Sequence, residues 1–307
     1  MFAQTTLEPT KLKLLNALDV GENVLSQLEV KIASLVNGSG ANSINFPQSD
    51  AQLAAIYHLS SGGRRVRGRL AVQASLALGL SKDDALCIAA VAELLHNASL
   101  VHDDLQDKDT SRHGLPTVWA KFGSNVAICT GDLMLSAAYA ALCGTSRTHV
   151  IPSLLALVHE RTALAIQGQC ADLAARSQSV NRTNTYEKIV IAKSGALLSL
   201  PLELALLASG KHSGAGQARS AAEAFSLAYQ VADDLADQQR DAQVNSLNIG
   251  HVLQAAGDNT DAVACAYQYG ARHIDIAIAA AQQLPSGAGA LLLQLSYELR
   301  EFFNAKE

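Results

Sequence analysis

The stretch Leu94-Leu95-His96-Asn97-Ala98-Ser99-Leu100-Val101-His102-Asp103-Asp104-Leu105-Gln106-Asp107 decides how the rest of the chain is read. An apolar helical run ends in three carboxylates at the point where its buried face should continue, and helices bury such faces. Asp103 and Asp107 stand four residues apart, neighbours on one helix surface, with Asp104 beside them. Inside a pocket, two such charges about 5 Å apart repel by about 3 kcal/mol at an effective dielectric near 20, so a cluster there implies bound cations. Oxygen-only ligands without Cys or His among them suit Mg²⁺. The segment Lys108-Asp109-Thr110-Ser111-Arg112-His113-Gly114 follows directly. Its Arg112 and His113 either neutralise the carboxylates or face an anion of their own.

Working outward, the pattern is helical. Ser81-Lys82-Asp83-Asp84 has capping-box spacing and opens the helix that carries the motif. Ser49 or Asp50 caps a helix through Leu59, which Gly62-Gly63 ends. Apolar residues recur at helical spacing over 11–35 (Leu14, Leu15, Leu18, Val24, Leu25, Leu28, Ile32). Further helices are predicted near 124–143, 150–175, 186–209, 216–240, 258–283 and 289–303, the last two divided by Pro285-Ser286-Gly287. No run of alternating strands appears. The class is therefore all-α. No polar linker is long enough to separate two cores, which predicts one domain over 1–307 with about ten disordered residues at its start.

Composition narrows the function classes. Apolar residues make up 49% of the 307 and charged residues 17%, enough for a large core and unlike a disordered chain. A net charge of −5 offers no field for nucleic acid. Five scattered cysteines (Cys87, Cys129, Cys143, Cys170, Cys265) without CxxC spacing suit a reduced, cytoplasmic protein. The N-terminus lacks the charged-then-apolar order of a signal peptide. The most apolar window, around Gly195–Ser209, contains Pro201 and Glu203 and is read as falling short of a membrane span.

The opening pattern recurs. Tyr229-Gln230-Val231-Ala232-Asp233-Asp234-Leu235-Ala236-Asp237 again ends an apolar helical run in Asp-Asp-x-x-Asp, which predicts two similar helices facing each other across a pocket. Two opposed carboxylate clusters suit several divalent ions bridging one polyanion. The segment Ser61-Gly62-Gly63-Arg64-Arg65-Val66-Arg67-Gly68-Arg69 offers clustered guanidiniums, a forked clamp for phosphate oxygens. His96 lies two turns before Asp103 on the same face. Lys193 sits within the apolar run Ile189–Leu200, where burial is costly unless an anion meets it. Carboxylates that hold Mg²⁺, cations that hold diphosphate and aliphatic walls that hold a hydrocarbon describe a site able to ionise an allylic diphosphate away from water.

With these residues in view, the sequence resembles the trans-isoprenyl diphosphate synthases, the polyprenyl synthetase family, over roughly residues 50–255. Gly62-Gly63-Arg64-Arg65-Val66-Arg67 is similar to the family's Gly-Gly-Lys-x-x-Arg element, which implies that Gly63, Arg64 and Arg67 grip isopentenyl diphosphate, joined by His96. Asp103, Asp104 and Asp107 resemble the first aspartate-rich motif and Asp233, Asp234 and Asp237 the second, which makes all six metal ligands. Asp103, Asp104, Lys193 and Asp233 carry the ionisation step. Arg112 matches the Arg that holds the allylic diphosphate, with His113 in place of a second Arg. Gln169 and Asp172 resemble the Gly-Gln-x-x-Asp element. Lys193-Ser194 stands for Lys-Thr, and Tyr229-Gln230 for Phe-Gln. The loop after Asp237 lacks the family's Lys, and Arg240 stands as its substitute.

The resemblance implies an isoprenoid-synthase-type helical bundle around a deep central cavity, a homodimer, and a cluster of Mg²⁺ ions with diphosphate. The implied reaction is head-to-tail condensation of isopentenyl diphosphate with an allylic diphosphate, the released pyrophosphate removing the proton. The growing chain should pass Ser99 and Ala98, both small, and meet Leu95 and Leu94, which predicts a product of C20 or longer, with C15 as the shorter alternative. Two rivals stand beside this reading: a class I terpene cyclase, and a non-catalytic subunit that sets product length for a partner.

Overall fold

The computed structural model describes residues 22–38, 47–175, 182–236, 247–255 and 261–304, and their order is almost wholly helical. Helix α1 (Glu22–Asn37) leads to α2 (Asp50–Ser60), which starts at Ser49, one of the two predicted caps, and closes a capping box: Ser49 N–H donates to Gln52 Oε1 at 2.8 Å, and Gln52 N–H to Ser49 Oγ at 3.3 Å. α3 (Val66–Ala77) was not anticipated. It grows directly out of the Gly-Gly-Arg-Arg segment, with Arg65 in the left-handed region at φ 49° as its N-cap.

α4 (Lys82–Asp107) is the axis of the molecule. Its 26 residues make a rod about 39 Å long. Ser81 caps it by accepting from Asp84 N–H at 3.1 Å. The Asp84 carboxylate does not complete a reciprocal box. It accepts instead from Thr145 Oγ1, Ser146 N–H and Ser146 Oγ, pinning that distant turn to the start of α4. A two-stranded hairpin, β1 (Ser111–Arg112) with β2 (Leu115–Pro116), follows α4. His113 (φ 52°) and Gly114 (φ 78°) turn it, both in the left-handed region that two-residue hairpins need.

The remaining helices are α5 (Val118–Phe122), α6 (Ser124–Ala141), α7 (Ile151–Ala175), α8 (Thr183–Val190), α9 (Ala196–Ala208), α10 (Ala215–Ala236), α11 (Ile249–Ala255), α12 (Ala262–Gln282) and α13 (Ala290–Asn304). A π-helical turn, Ile191–Gly195, joins α8 to α9 without a break. The predicted extensions of α1 toward residue 11 and of α10 toward residue 240 lie outside the described residues.

Two buried clusters form the core. One joins α1, α2, α4, α6 and α7 through Leu28, Ile88, Leu94, Met134 and Leu154, and the other joins α8 and α10–α13 through Tyr186, Phe225, Ile274 and Leu295. α3 and α9 contribute to both, so the clusters share walls. One expectation needs correction here. By length and composition, three helical stretches (Lys82–Asp107, Ser124–Gly144 and Thr183–Ala208) are apolar enough to cross a membrane. The first and third are apolar because they are central, with 78% of the most apolar window buried, whereas Ser124–Gly144 buries only 44%.

Candidate active site

α4 presents its C-terminal carboxylates on two faces. Asp103 and Asp107 lie on one, and Asp103 is buried enough that desolvation raises its carboxyl above the ordinary carboxylate range, Lys193 opposing that shift and Asp107 adding to it. Lys193 comes from the π turn, and its Nζ lies 2.7 Å from Asp172 Oδ2 and 3.3 Å from Asp103 Oδ1. Burial works against the ammonium, but the charges of Asp103 and Asp172 outweigh it and hold Lys193 above its usual range. The close approach depends on Gly168 of α7, where a Cβ would overlap the Lys193 backbone. π turns widen a helix locally and often stand at functional sites. Gln169, the next residue, donates to Gln106 of α4 at 3.0 Å.

Asp104, which the resemblance makes a metal ligand, points the other way. It is 1% exposed and receives the Arg112 fork, Nε to Oδ1 at 2.9 Å and Nη2 to Oδ1 at 2.6 Å. Desolvation nevertheless wins and leaves its carboxyl raised. Of the two sequence readings for Arg112, neutralising a carboxylate is realised, while its other face still borders a cavity. Asp234 of the second motif departs likewise. It is 1% exposed and accepts from Tyr186 Oη (2.8 Å), Gln230 Nε2 (2.8 Å) and Ile249 N–H (2.7 Å), clasping α8, α10 and α11 together. Asp233, one residue earlier, is exposed. Asp237 and Arg240 lie outside the described residues.

Three cavities open around this centre. The first, of about 400 Å³, mixes basic and apolar residues in its lining: Gly63, Arg64, Arg67, His96, Arg112 and His113, with Leu198, Phe225, Tyr229 and Leu295. Burial, then the charges of Arg67 and Arg112, drives the His96 imidazole well below its ordinary range, so it is neutral at pH 7. The second, of about 280 Å³, starts at Asp103 and Gln106 and runs between Leu95, Ala98 and Ser99 of α4, Leu135 of α6, Thr162 and Ile166 of α7, and Leu197 of α9. The third, of about 120 Å³, is a small polar vestibule with Asp107, Asp172, Lys193 and Gln230 on its walls. Ser194 lines all three. As predicted, α4 and α10 face each other across this space, with His96, Asn97 and Leu100 opposite Ser226, Tyr229 and Gln230 of the first cavity. Leu94 was expected on the hydrocarbon path but is fully buried in the core.

Sequence reasoning also missed residues. His58, at the end of α2, lines the first cavity; burial, then Arg112, lowers its imidazole to about 4. Glu93 lines the same cavity and is 2% exposed. Its signal was a lone acid inside the otherwise apolar run Ala85–Leu95. Leu135, Thr162 and Ile166 carried none, because only packing brings α6 and α7 beside α4.

The donor set can be tested against a metal. Among the described residues no three His, Cys, Asp or Glu side chains form a ready-made ion site. Asp103, Asp107 and Asp172 nonetheless gather around a single ammonium, and hard carboxylate oxygens in excess over the neighbouring cation are what Mg²⁺ accepts. Asp103 and Asp107 fit such an ion. Asp104 and Asp234 are committed elsewhere.

Comparison with known proteins gives one consistent answer. The polyprenyl synthetase family profile matches residues 50–276. A (2E,6E)-farnesyl diphosphate synthase of Mycobacterium tuberculosis is 37% identical over 174 residues, which cover 56% of this chain and 48% of that protein. A geranylgeranyl diphosphate synthase of Cyanophora paradoxa is 34% identical over 190 residues, 59% of this chain and 63% of that one. The match thus spans about half the length of the mycobacterial relative. Among solved structures, a decaprenyl diphosphate synthase from Rhodobacter capsulatus superposes with a TM-score of 0.78 at 19% identity, covering 91% of this chain and 96% of its own. A geranylgeranyl pyrophosphate synthetase from Pyrococcus horikoshii gives 0.76 at 23% identity, with the same coverages. At these identities the likeness shows the fold, an isoprenoid-synthase helical bundle.

Proposed function

The chain belongs to the polyprenyl synthetase family, and on that premise we propose that it is a Mg²⁺-dependent trans-prenyltransferase, condensing isopentenyl diphosphate head-to-tail with an allylic diphosphate. The observation that carries this reading is the junction at Ser194, where a basic cavity, an apolar cavity and an acidic vestibule meet. A cyclase needs the last two but has no use for a second anion site.

Asp103, Asp107 and Asp233 would hold the ions, with Asp237 beyond the described residues. When bound, Mg²⁺ supplies positive charge to the departing pyrophosphate. The chain's own groups do the rest. Lys193 adds a cation at the mouth of the apolar cavity, fixed between Asp103 and Asp172. Arg112 is aligned by its fork on Asp104. Arg64, Arg67 and His113 offer donors to the second diphosphate, and neutral His96 donates one N–H without adding charge. The walls of Leu100, Leu197 and Leu198 exclude water from the carbocation.

Product length follows from the apolar cavity. Leu95 lies eight residues before Asp103, about 12 Å along α4. An extended isoprene unit of four C–C bonds advances about 5 Å, and at interior packing density it fills roughly 100 Å³. Both measures give room for an allylic chain of two to three units, and with the unit that isopentenyl diphosphate adds we put the product at C15 to C20, the short end of the expectation. The outward face of α6, with Ile128 exposed, and Ile166 on α7 support a homodimer. Free thiols at all five cysteines support a cytoplasmic location.

Incubating the protein with Mg²⁺, isopentenyl diphosphate and C5, C10 or C15 allylic diphosphates, followed by mass spectrometry, tests the reading. Elongated linear diphosphates support it, cyclic hydrocarbons favour a cyclase, and no turnover favours a length-setting subunit. Asp103→Asn should abolish turnover without unfolding the chain.

A further inference from the structure

Glu93 is the buried group that this reaction leaves without a task. It lies on α4, one turn before His96 and Asn97, and its carboxylate is sealed from solvent. Its Oε1 accepts from the Gly68 N–H at 2.7 Å, in the first turn of α3. Only glycine allows this approach. A Cβ at Gly68 would stand 2.9 Å from Glu93 Cγ and 2.8 Å from Leu28 Cδ2.

The residue before Gly68 is Arg67, which lines both the basic and the apolar cavity. Its Nε is buried and has no hydrogen-bond acceptor. Desolvation lowers the guanidinium from its ordinary range, and Glu93 is the leading charge that opposes this. Burial raises the Glu93 carboxyl, and the Gly68 N–H, then Arg65, then Arg67 oppose this; Arg65 is itself ion-paired to Glu29 at 2.6 Å and donates to the Leu59 carbonyl. Glu93 therefore compensates Arg67 across space without occupying its donors.

We propose that Glu93 is a positioning residue for the second-substrate site: its bond to Gly68 fixes the first turn of α3 and so holds the Arg67 guanidinium at the cavity wall with its donors not taken up by Glu93. A buried acid that bonded the guanidinium directly would stabilise the cation but consume the donors. One set back by a residue does the first without the second. The proposal rests on the reading of this cavity as the isopentenyl diphosphate site.

The test is Glu93→Gln, which leaves the Gly68 N–H a neutral oxygen in place of a charged one. KM for isopentenyl diphosphate should rise about tenfold or more, while kcat at saturation and KM for the allylic substrate stay within about twofold. Glu93→Leu, which also loses the Gly68 bond, should in addition lower the melting temperature. An unchanged KM for isopentenyl diphosphate, or an equal rise in both KM values, overturns the proposal. Calorimetric binding of inorganic pyrophosphate in EDTA, which reads the basic cavity alone, separates the two levels. If the wild type binds pyrophosphate but turns over no substrate pair, and Glu93→Gln weakens that binding tenfold, the positioning role stands and the prenyltransferase reading falls. If the wild type turns over and Glu93→Gln changes neither KM nor pyrophosphate binding, the positioning role falls alone. A wild type that neither binds pyrophosphate nor turns over refutes both.

Discussion

Replacing Ala98 by Phe should shorten the product by at least one isoprene unit. Ala98 is 5% exposed and borders the apolar cavity five residues before Asp103, about 7.5 Å down α4 from the reacting end. The added ring carries six further carbon atoms and, at interior packing density, takes up about 100 Å³. The cavity holds about 280 Å³, so roughly a third of it is lost, close to one C5 unit. A longer primer would have to push the ring into Leu95 or Leu135. Overpacking of that kind costs about 1–3 kcal/mol, and since 1.4 kcal/mol is tenfold, kcat/KM for a C10 primer should fall roughly five- to 150-fold. A C5 primer does not reach Ala98, and its kcat/KM should stay within about threefold. The assay is steady-state elongation with C5, C10 and C15 primers, with products resolved by mass spectrometry. An unchanged product distribution in a folded Ala98→Phe protein would refute the cavity as the ruler. Leu95→Ala should act in the opposite sense and lengthen the product.

Other perturbations probe the supports of the site. Gly168→Ala places a methyl into the Lys193 backbone, and if Lys193 acts as proposed, misplacing its ammonium by about 1 Å should lower kcat about 100-fold; full activity in that variant would show that the π turn does not fix Lys193. Glu203 is 2% exposed and takes both Arg161 (2.9 Å) and Arg219 (3.2 Å), so Glu203→Gln leaves a buried guanidinium undercompensated. It should cost about 3 kcal/mol, read from the shift of the urea midpoint. The pH dependence of stability has a definite sign. His58 accepts a proton near 6.5 when unfolded but only near 4 when folded, so its contribution is complete above 6.5 and is lost as the pH falls toward 4. That shift is worth about 3 kcal/mol over the window, and buried His96 acts in the same direction. Urea titrations of the wild type and His58→Gln at pH 4.5 and 7 should show a flatter profile in the variant; parallel profiles would remove His58 as the cause.

The sequence by itself determined the fold class and the pattern of residues on which the functional proposal rests. Helical spacing, the boundary at Ser49 and the twin Asp-Asp-x-x-Asp motifs are local patterns, and a helix that ends an apolar run in carboxylates declares a polyanion site wherever it packs. The hairpin at Arg112 and helix α3 escaped notice because the first turns at His113 and the second starts at Arg65, both in the left-handed region, which spacing does not reveal. Tertiary structure alone decided which carboxylates face the cavities. Asp103 and Asp104 are adjacent in sequence but about 100° apart around the helix, so one meets Lys193 while the other is spent on Arg112. Asp233 and Asp234 divide in the same way, the second turned inward onto Tyr186. The hydrocarbon path was half legible for that reason. Its α4 wall could be counted residue by residue from Asp103, whereas Leu135, Thr162 and Ile166 enter it from helices whose distance from α4 is set by packing and by no pattern within the chain.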